Sequence, residues 1–271
     1  NGMRWELQDH ISDDFNYEMG PDEKIPAFTE RWYPSYHNSW TGPGLTVWDE
    51  NHLKVADGKL QIFATRLEGT DKVNMGIITS NHRVQYPVYV EARAKISNSV
   101  LANAVWMLSP DDTQEIDIIE AYGASYSANA DADQTWFAER MHISHHVFIR
   151  EPFQDYQPKD EGSWQTKADG SLWRDSYHVI GCYWRDPFHL EYYIDGKLVR
   201  TVSGEDIIDP RGYTDGTGLN KAMDIIIDME DHDWRSDNGI TPTDEELANV
   251  ENNTFKVDWI RVYKPVPVEG E

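Results

Sequence analysis

Three acidic residues, Glu115, Asp117 and Glu120, lie close together in a stretch that is otherwise rich in isoleucine. Successive side chains of an extended strand point to opposite faces, so Glu115 and Asp117 share one face while the isoleucines beside them take the other. Glu120 has the wrong parity, and a β-bulge, one extra residue near 118–119, would bring it to the same face. Glycoside hydrolysis requires two nearby carboxyl groups, one as nucleophile and one as general acid and base. The spacing therefore predicts a bulged strand carrying a carboxylate row suited to such a reaction.

The row also has a simpler interpretation, in which the acids only keep a solvent-facing strand soluble. The isoleucines disfavour it, because Ile116, Ile118 and Ile119 indicate a strand with a buried face. The stereochemistry of hydrolysis stays open at this point. Along a straight strand the outer carboxylates would lie about 13 Å apart, and their side chains must converge to about 5.5 Å in a retaining enzyme.

Composition excludes several classes of protein. The 271 residues carry a formal charge of −24, which argues against nucleic acid as a partner and disfavours a heavily sulfated substrate. The excess of acids would suit a salty, marine habitat. No stretch reaches the roughly 18 apolar residues of a membrane span, and no linker or repeat divides the chain, so we expect one domain over residues 1–271. Cys182 is the single cysteine and is expected to be a buried thiol.

Short apolar strands separated by turns run through the chain, as is typical of a β-sandwich. Asp195-Gly196 predicts a hairpin turn, and Thr243 with Glu246 predicts a capping box that begins a short helix. Long loops, which usually serve function in a compact domain, are expected at 18–50, 122–138 and 150–175. The predicted strands are 59–65, 74–80, 87–96, 101–108, 114–121, 139–149, 177–184, 189–194, 197–202, 222–230 and 254–264.

Strand parity sorts the polar residues around the row. Between Arg140 and His146 the even positions are polar, which places Arg140, His142 and His146 on the face opposite the core. The histidines invite a zinc site, but His145 has the wrong parity and neither a thiolate nor an obvious third ligand accompanies the others. A polar cleft wall is favoured instead. A later strand alternates acids with apolar residues, and its acids are Asp224, Asp228 and Glu230.

Aromatic residues are abundant, with 11 tryptophans in the chain, and tryptophan stacks on sugar rings as well as filling cores. Trp106 precedes the acidic strand and is interpreted as a stacking platform, with core packing as the alternative. Trp40 and Trp48 flank a glycine-rich turn at 41–44 and are interpreted as more distant stacking sites. The alternative is that these two tryptophans only pin a long loop to the body of the protein.

The acidic run resembles the bulged signature of glycoside hydrolase family 16, and further motifs resemble the β-agarase branch of that family. The resemblance extends from about Trp5 to Pro265. The motifs that carry it are 37–48, 103–120, 136–140, 145–156 and 234–239.

The resemblance implies a concanavalin-like β-jelly-roll sandwich of two curved antiparallel sheets with a substrate cleft on the concave face. It implies endo-hydrolysis of β-1,4 galactosidic bonds in agarose with retention, releasing neoagaro-oligosaccharides. Glu115 would be the nucleophile and Glu120 the general acid/base, with Asp117 either raising the pKa of a neighbouring acid or orienting Glu115. Arg140 and Glu230 match substrate-binding positions of agarases, and Trp106 would stack near the cleaved sugar.

Members of this family often hold a structural calcium ion on the convex side. The corresponding segments here contain Asp14, Gly58 and Asp258, and a carboxylate with backbone carbonyls is reasonable calcium chemistry. Hydrolysis itself needs no cofactor. We expect a secreted monomer whose partner is agarose or its oligosaccharides.

Two alternatives stay open. A porphyranase or another galactan hydrolase would share the fold and the three acids, and would differ in accepting a sulfate ester near Trp106. A non-catalytic carbohydrate-binding module could use the same scaffold, although such a module has no use for a nucleophile and an acid in one row.

Overall fold

The computed structural model describes residues 2–268 and consists almost wholly of β-strands. The strands are β1 (Met3–Leu7), β2 (Trp32–Tyr33), β3 (Thr46–Trp48), β4 (Leu53–Ala56), β5 (Lys59–Arg66), β6 (Val73–Met75), β7 (Ile77–Val84), β8 (Val88–Lys95), β9 (Ala102–Leu108), β10 (Gln114–Tyr122), β11 (Tyr126–Ser127), β12 (Ala132–Asp133), β13 (Met141–Arg150), β14 (Phe153–Tyr156), β15 (Trp164–Gln165), β16 (His178–Asp186), β17 (His189–Ile194), β18 (Lys197–Ser203), β19 (Met223–Glu230) and β20 (Thr254–Pro267).

The helices are all short. They are α1 (Pro26–Thr29), α2 (Thr135–Ala138), α3 (Glu205–Ile208), α4 (Asp233–Ser236) and α5 (Asp244–Ala248), with 3₁₀ turns at Asp9–Ile11, Glu161–Ser163 and Trp173–Asp175. Within the described range no helix is long and apolar enough to cross a membrane.

The strands form two main sheets. The outer sheet has the order β18-β17-β16-β8-β20-β5-β6-β3, with β1 against β20 and β4 against β5. The cleft sheet has the order β14-β13-β10-β9-β19-β7-β2, with β15 against β13. Pairing is antiparallel except between β3 and β6. This architecture confirms the predicted all-β jelly-roll sandwich.

The core lies between the two sheets and follows from strand alternation. Residues of β9, β10 and β19 on the cleft sheet and of β8 and β20 on the outer sheet form one buried apolar cluster. Its central members include Val90, Ala92, Val105, Met107, Ile116, Ile118, Ile225, Ile227, Ile260 and Val262. Cys182 belongs to the same cluster and is a buried free thiol, as predicted. The cleft sheet therefore turns its other face, with the acids, away from the core.

Local sequence signals predicted some of the turns, strands and helices correctly and missed others. Asp195 and Gly196 both have positive φ in the turn between β17 and β18, confirming the hairpin. The Thr243 capping box begins α5 as predicted. The predicted strand 74–80 is divided between β6 and β7, and the four other one-turn helices were not predicted. The predicted single domain over 1–271 includes residues 1 and 269–271, which lie outside the described range.

Candidate active site

The acidic strand β10 contains the predicted bulge. Against β9, Asp117 pairs with Trp106 and Ile119 pairs with Val105, so Ile118 is an extra residue on β10. The register with β13 shifts in the same place. The bulge restores the parity of Glu120, so that Glu115, Asp117 and Glu120 all line the same cleft.

The cleft is an open groove with a volume of about 950 Å³ over the cleft sheet. Aromatic rings form much of its walls, and polar side chains cover its floor. The main lining side chains are Tyr36, Asn38, Trp40, Trp106, Asp112, Glu115, Asp117, Glu120, Trp136, Phe137, His142, His146, Phe148, Phe153, Trp164, Glu230, His232 and Trp234. An open groove with aromatic walls accommodates the interior of a polymer.

Glu115 and Asp117 form a carboxyl pair whose charges interact. Burial and the charge of Asp117 raise the pKa of Glu115 well above its ordinary value. Burial also raises the pKa of Asp117, to about 6, against the opposing effect of the nearby His146. Nε2 of His146 lies 3.6 Å from Asp117 Oδ2 and 3.9 Å from Glu115 Oε1. The pair therefore holds a proton more tightly than isolated carboxyl groups do.

Glu120 has different neighbours and a different proton affinity. Its Oε1 accepts a 3.0 Å hydrogen bond from the Tyr122 hydroxyl and lies 3.4 Å from Nδ1 of His142. Burial raises the pKa of Glu120, but the hydrogen bond and charge of His142, together with the charges of His232 and His146, outweigh it, and the pKa falls to about 2. In the free cleft Glu115 and Asp117 thus have a higher proton affinity than Glu120.

A second carboxyl pair, Asp228 and Glu230, lies on β19. Burial raises the pKa of Asp228 to about 7, and burial and the charge of Asp228 raise the pKa of Glu230 well above its ordinary value. Trp106 donates from Nε1 to Asp228 Oδ1 at 2.8 Å. Glu230 lines the cleft as predicted, and Asp228 supports Trp106 from beneath it.

The tryptophans at one end of the cleft form a stack with Tyr36. Trp48 stacks on Tyr36 at a centroid distance of 5.3 Å and meets Trp40 edge to face at 5.4 Å. The Trp48 indole nitrogen donates to the Met229 carbonyl at 3.0 Å. Trp40 lines the cleft, whereas Trp48 lies outside its lining, behind Tyr36.

Arg140 also lies behind the wall. Strand β13 begins at Met141, so strand parity does not reach Arg140. Its guanidinium packs over the Trp136 ring at 4.4 Å and donates to the Trp136 carbonyl at 2.9 Å. Trp136 itself lines the cleft. The structure thus places Arg140 where it supports an aromatic wall residue.

The three histidines of β13 separate as parity predicted. His142 stacks on Trp164 at 3.9 Å, and both His142 and His146 line the cleft. His145 is buried on the opposite face, where its Nε2 bonds the Ile208 carbonyl at 2.9 Å. Burial lowers the pKa of His145 to about 4.

The residues expected to hold calcium lie away from the cleft. Asp14 is ion-paired with Arg261 at 3.0 Å, and Asp258 with Arg93 at 2.5 Å. Both carboxylates therefore have cationic partners with which a calcium ion would compete. Gly58 has positive φ in the turn between β4 and β5. The calcium site stays a prediction.

Several lining residues were not predicted. Tyr36, Trp136, Trp164 and Trp234 come from loops or short elements, where no periodicity assigns a side chain to a face. The only signal for them was the abundance of aromatic residues in long loops.

The chain is similar to known proteins over nearly its whole length. A family model described as "Beta-porphyranase A-D, GH16 domain" matches residues 5–265. Beta-agarase B of Zobellia galactanivorans is 60% identical over 97% of this chain and 79% of its own length. Beta-agarase AgaA of Microbulbifer thermotolerans is 59% identical over 100% of this chain and 61% of its own length. The crystal structure of an inactivated mutant beta-agarase B in complex with agaro-octaose superposes with a TM-score of 0.96 at 58% identity, covering 98% of this chain and 96% of that one.

Proposed function

The chain belongs to glycoside hydrolase family 16, and on this premise we propose that it is an endo-acting β-agarase. It hydrolyses β-1,4 galactosidic bonds within agarose, retains the anomeric configuration and releases neoagaro-oligosaccharides. The observation that carries the proposal is the bulged strand, which presents Glu115, Asp117 and Glu120 to an open groove with aromatic walls. The identity of 60% to a beta-agarase supports agarose as the polymer.

Glu115 is the nucleophile in this proposal and Glu120 the general acid/base. A Glu115 carboxylate oxygen bonds to the anomeric carbon while the glycosidic C–O bond breaks, and the leaving oxygen takes a proton from Glu120. Glu120 then removes a proton from water, which attacks the anomeric carbon and releases Glu115.

These roles require the opposite order of proton affinities from that of the free cleft. A proton must reside on Glu120 while Glu115 is ionised for attack. Asp117 lies between the two glutamates and is suited to pass the proton on. The transfer is unfavourable while His142 lowers the pKa of Glu120. We infer that a sugar hydroxyl group that takes over the hydrogen bond of His142 would weaken this effect and favour protonated Glu120.

Substrate contacts follow from the lining of the cleft. Trp106 presents its ring beside the acids and stacks on the sugar at the cleaved bond. Trp40 supplies a further stacking face, supported by Trp48, and His142, His146 and Glu230 offer hydrogen bonds to hydroxyl groups. Arg140 contributes to substrate binding indirectly, because its guanidinium packs over the ring of Trp136 and supports it.

A porphyranase is the second candidate, because the matching family model carries that name. A porphyran unit would bring a sulfate ester into a cleft that is already lined by seven carboxyl groups: Asp112, Glu115, Asp117, Glu120, Asp155, Glu230 and Asp233. Repulsion between the ester and any ionised carboxyl favours the neutral polymer agarose.

Proton NMR of the chain acting on agarose, with porphyran in parallel, tests the proposal. New β-galactose reducing ends from agarose, before mutarotation, are expected. Activity on porphyran alone would replace agarose with the second candidate. Glu115→Gln should abolish turnover and keep agaro-oligosaccharide binding, whereas Glu68→Gln, an exposed turn residue, should match wild type. Turnover by Glu115→Gln near the wild-type rate would overturn the nucleophile assignment.

The size of the polymer indicates the cellular location of the enzyme. Agarose chains are too large to enter a cell, so we place the enzyme outside the cell, acting as a monomer on the polysaccharide. A calcium ion near Asp14, Gly58 and Asp258 would be structural and take no part in the reaction.

A further inference from the structure

Three side chains of the cleft converge within ligand distance of a common point. One carboxylate oxygen of Glu115, one of Asp117 and one ring nitrogen of His146 all lie within 4.8 Å of one another. Among the described residues they form the only group of three or more acidic, histidine or cysteine side chains with this spacing. Two hard oxygens and one imidazole nitrogen are a donor set that divalent transition metals accept.

Asp117 provides an observation independent of this clustering. Its side chain is 4% exposed, and Oδ2 is buried with no hydrogen-bond partner among residues 2–268. That oxygen lies 3.6 Å from His146 Nε2, inside the group. A buried carboxylate oxygen without a donor costs free energy, and a cation at this point would compensate it.

The tautomer of His146 is set by its other neighbours. Nδ1 lies 2.7 Å from an Asp155 carboxylate oxygen, which can only accept, so Nδ1 carries the proton. Nε2 therefore carries the lone pair, which accepts a 2.8 Å hydrogen bond from the Gln157 amide, and a metal ion would bind Nε2 by displacing this amide. A carboxylate on the far nitrogen of a histidine is the arrangement that orients histidine toward zinc in proteins.

We propose that Glu115, Asp117 and His146 form a binding site for a divalent transition-metal ion such as Zn²⁺. The Gln157 amide turns aside as the ion binds Nε2, and Asp155 holds the imidazole in place. Calcium and magnesium bind more weakly here because they prefer all-oxygen ligand sets. A metal ion on Glu115 occupies the position from which the nucleophile attacks. The ion therefore excludes substrate, a consequence that rests on the proposed function, whereas binding of the ion does not.

Isothermal titration calorimetry of the purified chain with ZnCl₂ tests the site directly. One bound ion is expected, His146→Gln is expected to abolish binding, and Asp155→Asn is expected to weaken it about 10–100-fold. Gln157→Ala removes the competing amide and is expected to strengthen binding, a gain that misfolding cannot mimic. His10→Gln is the matched control, because His10 is an exposed histidine outside the cleft lining, and it should bind zinc as wild type does.

The zinc experiments test the metal site independently of the proposed agarase activity. No zinc binding, or binding that His146→Gln leaves intact, overturns the site whatever the chain hydrolyses. Titration of an agaro-oligosaccharide into Glu120→Gln, with and without zinc, then tests exclusion, with an apparent affinity that falls as zinc rises. Zinc binding together with no oligosaccharide binding would leave the metal site standing and count against the agarase.

Discussion

The indole nitrogen of Trp106 donates a 2.8 Å hydrogen bond to Oδ1 of Asp228, which lies on the adjacent strand of the cleft sheet. Asp228 is fully buried, so this bond holds the ring of Trp106 in one orientation beside the carboxylate row. The ring face that we propose for sugar stacking thus depends on an acid that does not itself line the cleft.

Replacing Asp228 should therefore affect catalysis through Trp106. Asp228→Leu removes the acceptor, and we expect kcat/KM on agarose to fall about 10–100-fold, since a buried donor left without its partner costs about 1–3 kcal/mol. Asp228→Asn keeps an acceptor oxygen and should stay within a few-fold of wild type. Steady-state kinetics on both variants, with circular dichroism to verify folding, check this. Wild-type activity of Asp228→Leu would contradict it.

The same residue makes stability depend on pH. Burial raises the pKa of Asp228 from 3.8 to about 7, so the folded state binds a proton that the unfolded chain has already lost. Stability should then fall as pH rises from about 4 to about 7, by at most about 1.4 kcal/mol per unit. Asp228→Asn has no such proton, so its Tm relative to wild type should be higher at pH 8 than at pH 5. An equal difference at both pH values would refute the assignment.

His142 should control the pH range in which Glu120 acts. Without the hydrogen bond and charge of His142, the pKa of Glu120 rises from its value of about 2, since burial is then opposed only by the remaining charges, such as those of His232 and His146. His142→Phe keeps a ring to stack on Trp164 and should extend activity to higher pH, because the general acid retains its proton longer. The measurement is kcat/KM against pH. An unchanged alkaline limb would show that His142 does not tune the acid.

Arg140 and Trp136 should act as a unit. If Arg140 contributes by holding the Trp136 ring, then Trp136→Ala, Arg140→Ala and the double variant should give strongly non-additive losses in oligosaccharide affinity. Trp5→Ala removes an exposed tryptophan of the outer sheet and serves as the control without effect. Additive losses would show that Arg140 contacts the sugar directly, as the sequence motif predicts.

The carboxylate row could be predicted from the sequence, because each step of the prediction depends only on neighbouring residues of one strand. Alternation along β10 set the parity of Glu115 and Asp117, and the mismatch at Glu120 required a bulge, which the register with β9 confirms. Parity also separated His145 from His142 and His146 within one strand. The family resemblance then identified the fold and the reaction class, which local periodicity alone leaves open.

The tertiary structure decided which residues face the cleft and which support it. Trp48 and Arg140 stand behind Tyr36 and Trp136, and Asp14 and Asp258 pair with arginines. The orientation of His146 by Asp155 arises from β14, which folds back against β13. Loop side chains have no periodicity that assigns them a face, and hydrogen bonds between separate strands depend on how the sheets pack. The sequence alone therefore determined the chemistry along one strand, whereas packing determined the neighbours that tune it.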